Sequence, residues 1–180
     1  MPFPSLFRQR QPRVAAARLY AALVAQARQP AFYGDDGVAD SVAGRFELYS
    51  AHVILLLRRL RGEGPQAAET AQALFDTFIS GLDNALREIG VGDLSVARRM
   101  RELGQAFYGR AKAYDAALAG ESDGGEALET LIGRTVFQGE AAEGGVAALT
   151  AYVRAAADAI AAQPLAGLLE GEVAWPAPRP

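Results

Sequence analysis

No cysteine occurs among the 180 residues, which removes disulfides, thiolate nucleophiles and any zinc or iron–sulfur site built on cysteine. Histidine occurs once, as His52, so a histidine-rich metal centre is not expected either, and no metal ligand is assigned. Serine and threonine are present without a matching base and orienting acid, so no catalytic residue is assigned and the chain is not read as an enzyme. Long apolar runs are also missing. The longest strongly apolar stretch, Ala51 to Leu57, is seven residues with His52 inside it, far below the ~18 that a bilayer span needs. The N-terminus, MPFPSLFRQRQPRVAAAR, is interrupted by arginines and headed by prolines and does not read as an export signal. A soluble, cytoplasmic chain is the expectation.

Aromatic residues make up only 8% of the composition, whereas apolar residues as a whole, many of them alanine, make up 51%. Alanine costs little entropy in a helix and adds little to sheet packing, so this balance points to packed helices rather than a β-sandwich. Charge is unevenly spread. Residues 1–112 carry 15 Lys or Arg against 11 Asp or Glu, and residues 113–180 carry 3 against 10. Such a gradient can orient a molecule at an anionic membrane surface. It is too weak for a nucleic-acid module, and no specific nucleic-acid motif is present.

Hydrophobic spacing organises the chain into helices separated by glycine and proline. QPRVAAARLYAALVAQARQP gives a first helix with a stripe of Val14, Ala17, Ala21, Val24 and Ala27, widened by Leu19, Tyr20 and Leu23. A second, Val42 to Leu60, carries apolar residues on a broad face and is expected to be central, with Asp40 or Ser41 as its N-cap. Pro65 opens a third, marked by Leu74, Phe75, Phe78, Leu82, Leu86 and Ile89. A fourth begins near Leu94 or Ser95 and repeats Val96, Met100, Leu103 and Phe107. A shorter helix in EALETLIGRTVFQG and an alanine-rich one ending before Pro164 follow, and Leu165, Leu168 and Leu169 are placed to pack back onto the bundle. The fold expected is all-α: one domain over residues 1–180, a compact irregular bundle of about six main helices, frayed at 1–11 and 171–180.

Four features bear on chemistry. GVGDLSV lacks the lysine of a phosphate loop and the preceding strand of a dinucleotide fingerprint, so Gly90 and Gly92 read as a helix stop, one of them at positive φ, with Asp93 capping the next helix. Asp76 and Asp83 share one helical face with Glu69 and read as a hydrated row. His52 on an apolar flank admits a satisfied core role, contact with a partner, or haem ligation, and no haem motif accompanies it. Arg58, Arg59 and Arg61 sit at the end of the second helix, where the helix dipole favours them, and Arg58 and Arg59 are expected to be largely exposed. Arg98, Arg99 and Arg101 sit in the opening turns of the fourth, where the dipole opposes them, which invites a search for acids or a partner.

The pieces LYAALVAQARQPAFY, GVADSVAGRFELYSAHVILLLRRL, AQALFDTFISGLDNALREIGVGDLSVARRM and AFYGRAKAYDAAL form an ordered series that resembles the ubiquinol–cytochrome c chaperone family. The resemblance is strong over about residues 19–118. It implies an all-helical, non-enzymatic assembly factor without a cofactor, whose client is immature cytochrome b of the bc1 complex. It also implies association with the ribosome near the membrane and work with a small partner subunit. Without a long presequence the chain reads as a bacterial form, placed peripherally at the cytoplasmic face of the inner membrane. Positions marked by the resemblance are Arg45, Phe46, His52, Arg58, Arg59, Arg87, Glu88, Gly90, Gly92, Asp93 and Leu94. With the charge argument, the candidate client-binding set is Arg45, Phe46, His52, Arg58, Arg59, Arg87, Asp93, Leu94, Arg98, Arg99 and Arg101. The other reading is a general helical interaction or regulatory module with a soluble partner, and co-purification with cytochrome b separates the two.

Overall fold

The computed structural model describes residues 10–34, 36–120, 126–139 and 143–178, and the side chains of Asp93, Leu94 and Glu143 lie outside that description. Its helices are α1 Arg10–Ala27, a 3-10 turn Pro30–Phe32, α2 Val42–Leu60, α3 Pro65–Glu88, α4 Asp93–Ala119, α5 Leu128–Thr135, α6 Glu143–Ala162 and α7 Leu165–Glu170. Among the described residues there is no strand. The all-α bundle expected from composition and spacing is the fold observed, and among the described residues the short α7 is added to six longer helices.

Local chemistry sets the helix ends. Ser41 caps α2, its hydroxyl accepting the Gly44 amide at 3.1 Å, and Arg58 and Arg59 lie in the last turn, where the carbonyl ends favour cations. After α3 the chain closes a Schellman turn. The Val91 amide reaches the Leu86 carbonyl at 3.1 Å and the Gly90 amide reaches the Arg87 carbonyl at 3.0 Å, with Gly90 at φ 82°. Gly92 is different. It is extended, φ −66° and ψ 151°, and serves as the N-cap of α4 without a side-chain bond. The positive φ therefore belongs to Gly90, and Asp93 is the first helical residue rather than the cap. α4 then runs without a break through Gly104 and Gly109 to Ala119.

α2 is the axis of the core and contacts α1, α3, α4 and α6, while α1 lies along α3. Leu48, Val53, Ile54, Leu55, Leu56 and Leu60 are buried around much of its circumference, which is why its apolar face is so broad in sequence. Phe46 stacks on Phe78, with centroids 6.5 Å apart, and Phe78 meets Phe107 at 5.2 Å, tying α2 to α3 and α4. α1 approaches α3 at Gly81, where any side chain would strike the Tyr20 hydroxyl. The buried face of α1 differs from the stripe expected: it is Ala15, Ala16, Leu19, Leu23, Gln26 and Ala27, and Val14, Ala17 and Ala21 face outward. Leucines outweighed the alanine–valine series because they bury more apolar area per residue.

Two differences concern the C-terminal third. Residues 171–178, expected to be frayed, are docked. Gln163 bonds the Ala174 amide and carbonyl, each at 2.8 Å, and Trp175 packs on the core. α6 also holds a segment, Gly144–Ala162, long and apolar enough by length and composition to cross a membrane. Here one side of it faces the bundle through Leu149, Tyr152, Val153, Ala156 and Ile160, and alanines occupy much of the other.

Candidate functional site

His52 is 1% exposed and both ring nitrogens are bonded. The Leu48 carbonyl, 2.7 Å from Nδ1, can only accept, so Nδ1 carries the proton and Nε2 accepts from the Tyr152 hydroxyl at 2.8 Å. The Gln26 amide donates onward to Tyr152 Oη at 3.1 Å and to the Pro176 carbonyl at 2.9 Å, and Gln29 donates to Gln26 Oε1 at 2.6 Å. Trp175 meets the imidazole edge-on at 4.8 Å. Burial pushes the His52 pKa down to about 4 against the weaker upward pull of the Leu48 carbonyl, and burial raises that of Tyr152. Of the three readings of His52, the satisfied core role fits this geometry. The ring joins α1, α2, α6 and the C-terminal tail, and no lone pair faces solvent.

Phe46 is core as well, so neither it nor His52 offers a surface. The remaining candidates fall into separate places. Arg45, at the start of α2, pairs with Asp40 at 2.7 Å and lies over the Tyr33 ring at 5.6 Å. Arg58 and Arg59 stand thirteen and fourteen residues further on, roughly 20 Å along the axis. Contrary to expectation they are not largely exposed: their side chains are 34% and 15% accessible. α4 and α6 cover them. Arg58 reaches the Asp115 carboxylate at 3.2 Å, Arg59 bonds Glu63 at 2.6 Å, and Arg61 takes the other Asp115 oxygen at 2.8 Å.

Arg98, Arg99 and Arg101 stand at the other end of α4. Arg98 and Asp115 are seventeen residues apart on one continuous helix, roughly 25 Å, so the fold does not join the two arginine groups. Arg98 and Arg99 are 70% and 60% exposed and share Glu102 at 3.5 and 3.6 Å; Arg101 is exposed. Ile89 is exposed at the preceding turn and Tyr108 further along α4. Arg87 pairs with Asp83 at 2.6 Å. The Asp93 and Leu94 side chains fall outside the described residues.

A groove of about 480 Å³ opens between the segment before α2 and the start of α6. Its apolar walls are Phe32, Val38, Phe137, Leu149 and Tyr152, and Asp36 is the charged residue among the lining. Sequence reasoning missed this groove, because its walls come from two stretches of chain about a hundred positions apart. It also missed the bidentate pair of Arg110 with buried Glu47, at 3.1 and 2.8 Å, which fastens α4 to α2. The one available signal was Glu47 itself, an acid between Phe46 and Leu48 on an otherwise apolar helix.

Taken together, a buried polar network, an apolar groove and exposed cations are carried by one all-helical bundle. The profile described as Ubiquinol-cytochrome C chaperone matches residues 35–175, and the chain belongs to that family. It is similar to the Cbp3 homolog from Brucella abortus, whose crystal structure aligns with a TM-score of 0.81 and 34% sequence identity, covering 94% of this chain and 94% of that one. No curated protein matches the chain. Its role is that of a chaperone.

Proposed function

We propose that the chain is a non-enzymatic assembly chaperone that holds immature cytochrome b and supports biogenesis of the bc1 complex at the cytoplasmic face of the inner membrane. Family membership supports the class of client. The observation that carries the mode of binding is the groove between the segment before α2 and the start of α6: its walls are mainly apolar, and a half-made membrane protein exposes apolar helix that must be shielded from water. Arg98, Arg99 and Arg101 face outward at the α3–α4 tip, and their weakly neutralised charge favours an anionic lipid surface. The groove receives the client while the tip keeps it near the membrane.

The test is quantitative crosslinking and pull-down of tagged cytochrome b from cells expressing wild-type protein, an Ala148→Trp variant that fills the groove, or Arg98→Glu/Arg99→Glu/Arg101→Glu. Filling the groove is expected to reduce capture by about tenfold, equivalent to ~1.4 kcal/mol. Reversing the tip is expected to reduce membrane recovery first and to lower bc1 abundance. Equal capture by wild type and both variants, with bc1 abundance in those strains equal to that in a deletion strain, would defeat the proposal.

A further inference from the structure

The end of α2 and the adjoining face of α6 border a second, shallow pocket open to solvent, of about 360 Å³, with Leu55, Ala157 and Ala161 on its apolar side and Arg58, Arg59, Arg61 and Glu63 on its polar side. That is about a dozen times the volume of a water in the liquid and lies in the range of small-ligand sites. Three guanidinium groups are met by two carboxylates. Asp115 divides its oxygens between Arg58 and Arg61, and Glu63 holds Arg59. The Arg59 Nε–H is buried and meets no acceptor among the described residues, and its Nη2 reaches the Gln163 carbonyl only at 3.3 Å. The alanines of α6 have no side-chain acceptor to offer. The carbonyl end of α2 opposes an anion here by about half a charge, so with Asp115 and Glu63 in place the three arginines keep only a small positive excess, which grows by one charge when Glu63 swings away.

We infer that this pocket binds a phosphate oxyanion, supplied as free phosphate or as the headgroup of an anionic lipid. A phosphate presents several acceptors at once, and the forked donors of three arginines suit it better than a single carboxylate does. Glu63, half-exposed on the turn after α2, is the group that the phosphate displaces from Arg59. The site stands apart from the client groove, and the inference does not depend on the identity of the client.

The full-length protein is titrated with inorganic phosphate while the arginine Nε–H signals are followed by NMR. In parallel it is sedimented with phosphatidylglycerol/phosphatidylcholine vesicles and with phosphatidylcholine vesicles alone. The expected result is saturable binding that weakens at least tenfold in Arg59→Gln and tightens severalfold in Glu63→Gln, a gain that a purely structural arginine cluster would not produce. Saturation by free phosphate identifies the soluble ion. The same order of variants on phosphatidylglycerol vesicles alone identifies the headgroup. If Arg59→Gln loses its helical circular dichroism, Arg61→Gln and Glu63→Gln carry the comparison. Absence of saturable binding in both arms, or affinities unchanged across the variants, overturns the inference. So does an equal response to chloride, which would mark an adventitious ion only.

Discussion

Arg58–Arg59 and Arg98–Arg99 are the same dipeptide on two amphipathic helices, yet the bundle treats them in opposite ways. The first pair closes α2 under α4 and α6, with side chains 34% and 15% accessible and bonds to Asp115, Glu63 and the Gln163 carbonyl. The second opens α4 at a free tip, 70% and 60% accessible, sharing one glutamate at long range. Charge at the covered end is committed to holding helices together or to a small anion. Charge at the tip costs little to keep hydrated and stays available to a large partner. An arginine pair is therefore read from what covers it, and the cover comes from helices far away in the chain.

The sharpest way to break this comparison is charge reversal at both places. Arg58→Glu/Arg59→Glu puts new carboxylates beside Asp115 and Glu63 and is expected to cost about 3 kcal/mol or more of unfolding free energy. Arg98→Glu/Arg99→Glu is expected to stay within about 0.5 kcal/mol. Urea unfolding measures both, and similar losses would erase the distinction drawn between the two ends.

Acid probes the same covered region through His52. The unfolded chain takes up a proton near pH 6.5, whereas the folded ring does so only at about 4. Stability from the neutral ring is therefore fully present above pH 6.5 and is lost as pH falls toward 4, by roughly 3 kcal/mol over the whole window. His52→Phe should start less stable, by about 1–3 kcal/mol for the buried Tyr152 hydroxyl left without an acceptor, and should lose this part of the acid slope. Trp175 fluorescence followed during pH-dependent unfolding gives the readout, since the tail docks against the same ring. Parallel slopes in the two proteins would show that His52 is not the group responsible.

At the tip the effects are smaller and separate two glycines that look alike in GVGD. Gly90→Ala forces a side chain into left-handed backbone and is expected to cost about 1–2 kcal/mol. Gly92→Ser meets no strain, adds a capping hydroxyl to α4 and is expected to raise stability by about a few tenths of a kcal/mol. Thermal unfolding of the two variants side by side decides it, and equal destabilisation would contradict the assigned turn geometry.

Sequence alone determined most of the helix ends, because caps, prolines and glycine stops act within a few residues: Ser41, Pro65, Gly90 and the residue before Pro164 all lie at element ends. It determined the family too, through ordered motifs spread over the first two-thirds of the chain. Only the tertiary structure decided which arginines are covered, that the tail from Gly171 docks, and that Phe32, Val38, Phe137 and Tyr152 meet as one groove. Burial is a property of helix pairs. Whether α6 lies over Arg59 or leaves it in water depends on packing between residues a hundred positions apart, and no local periodicity carries that information.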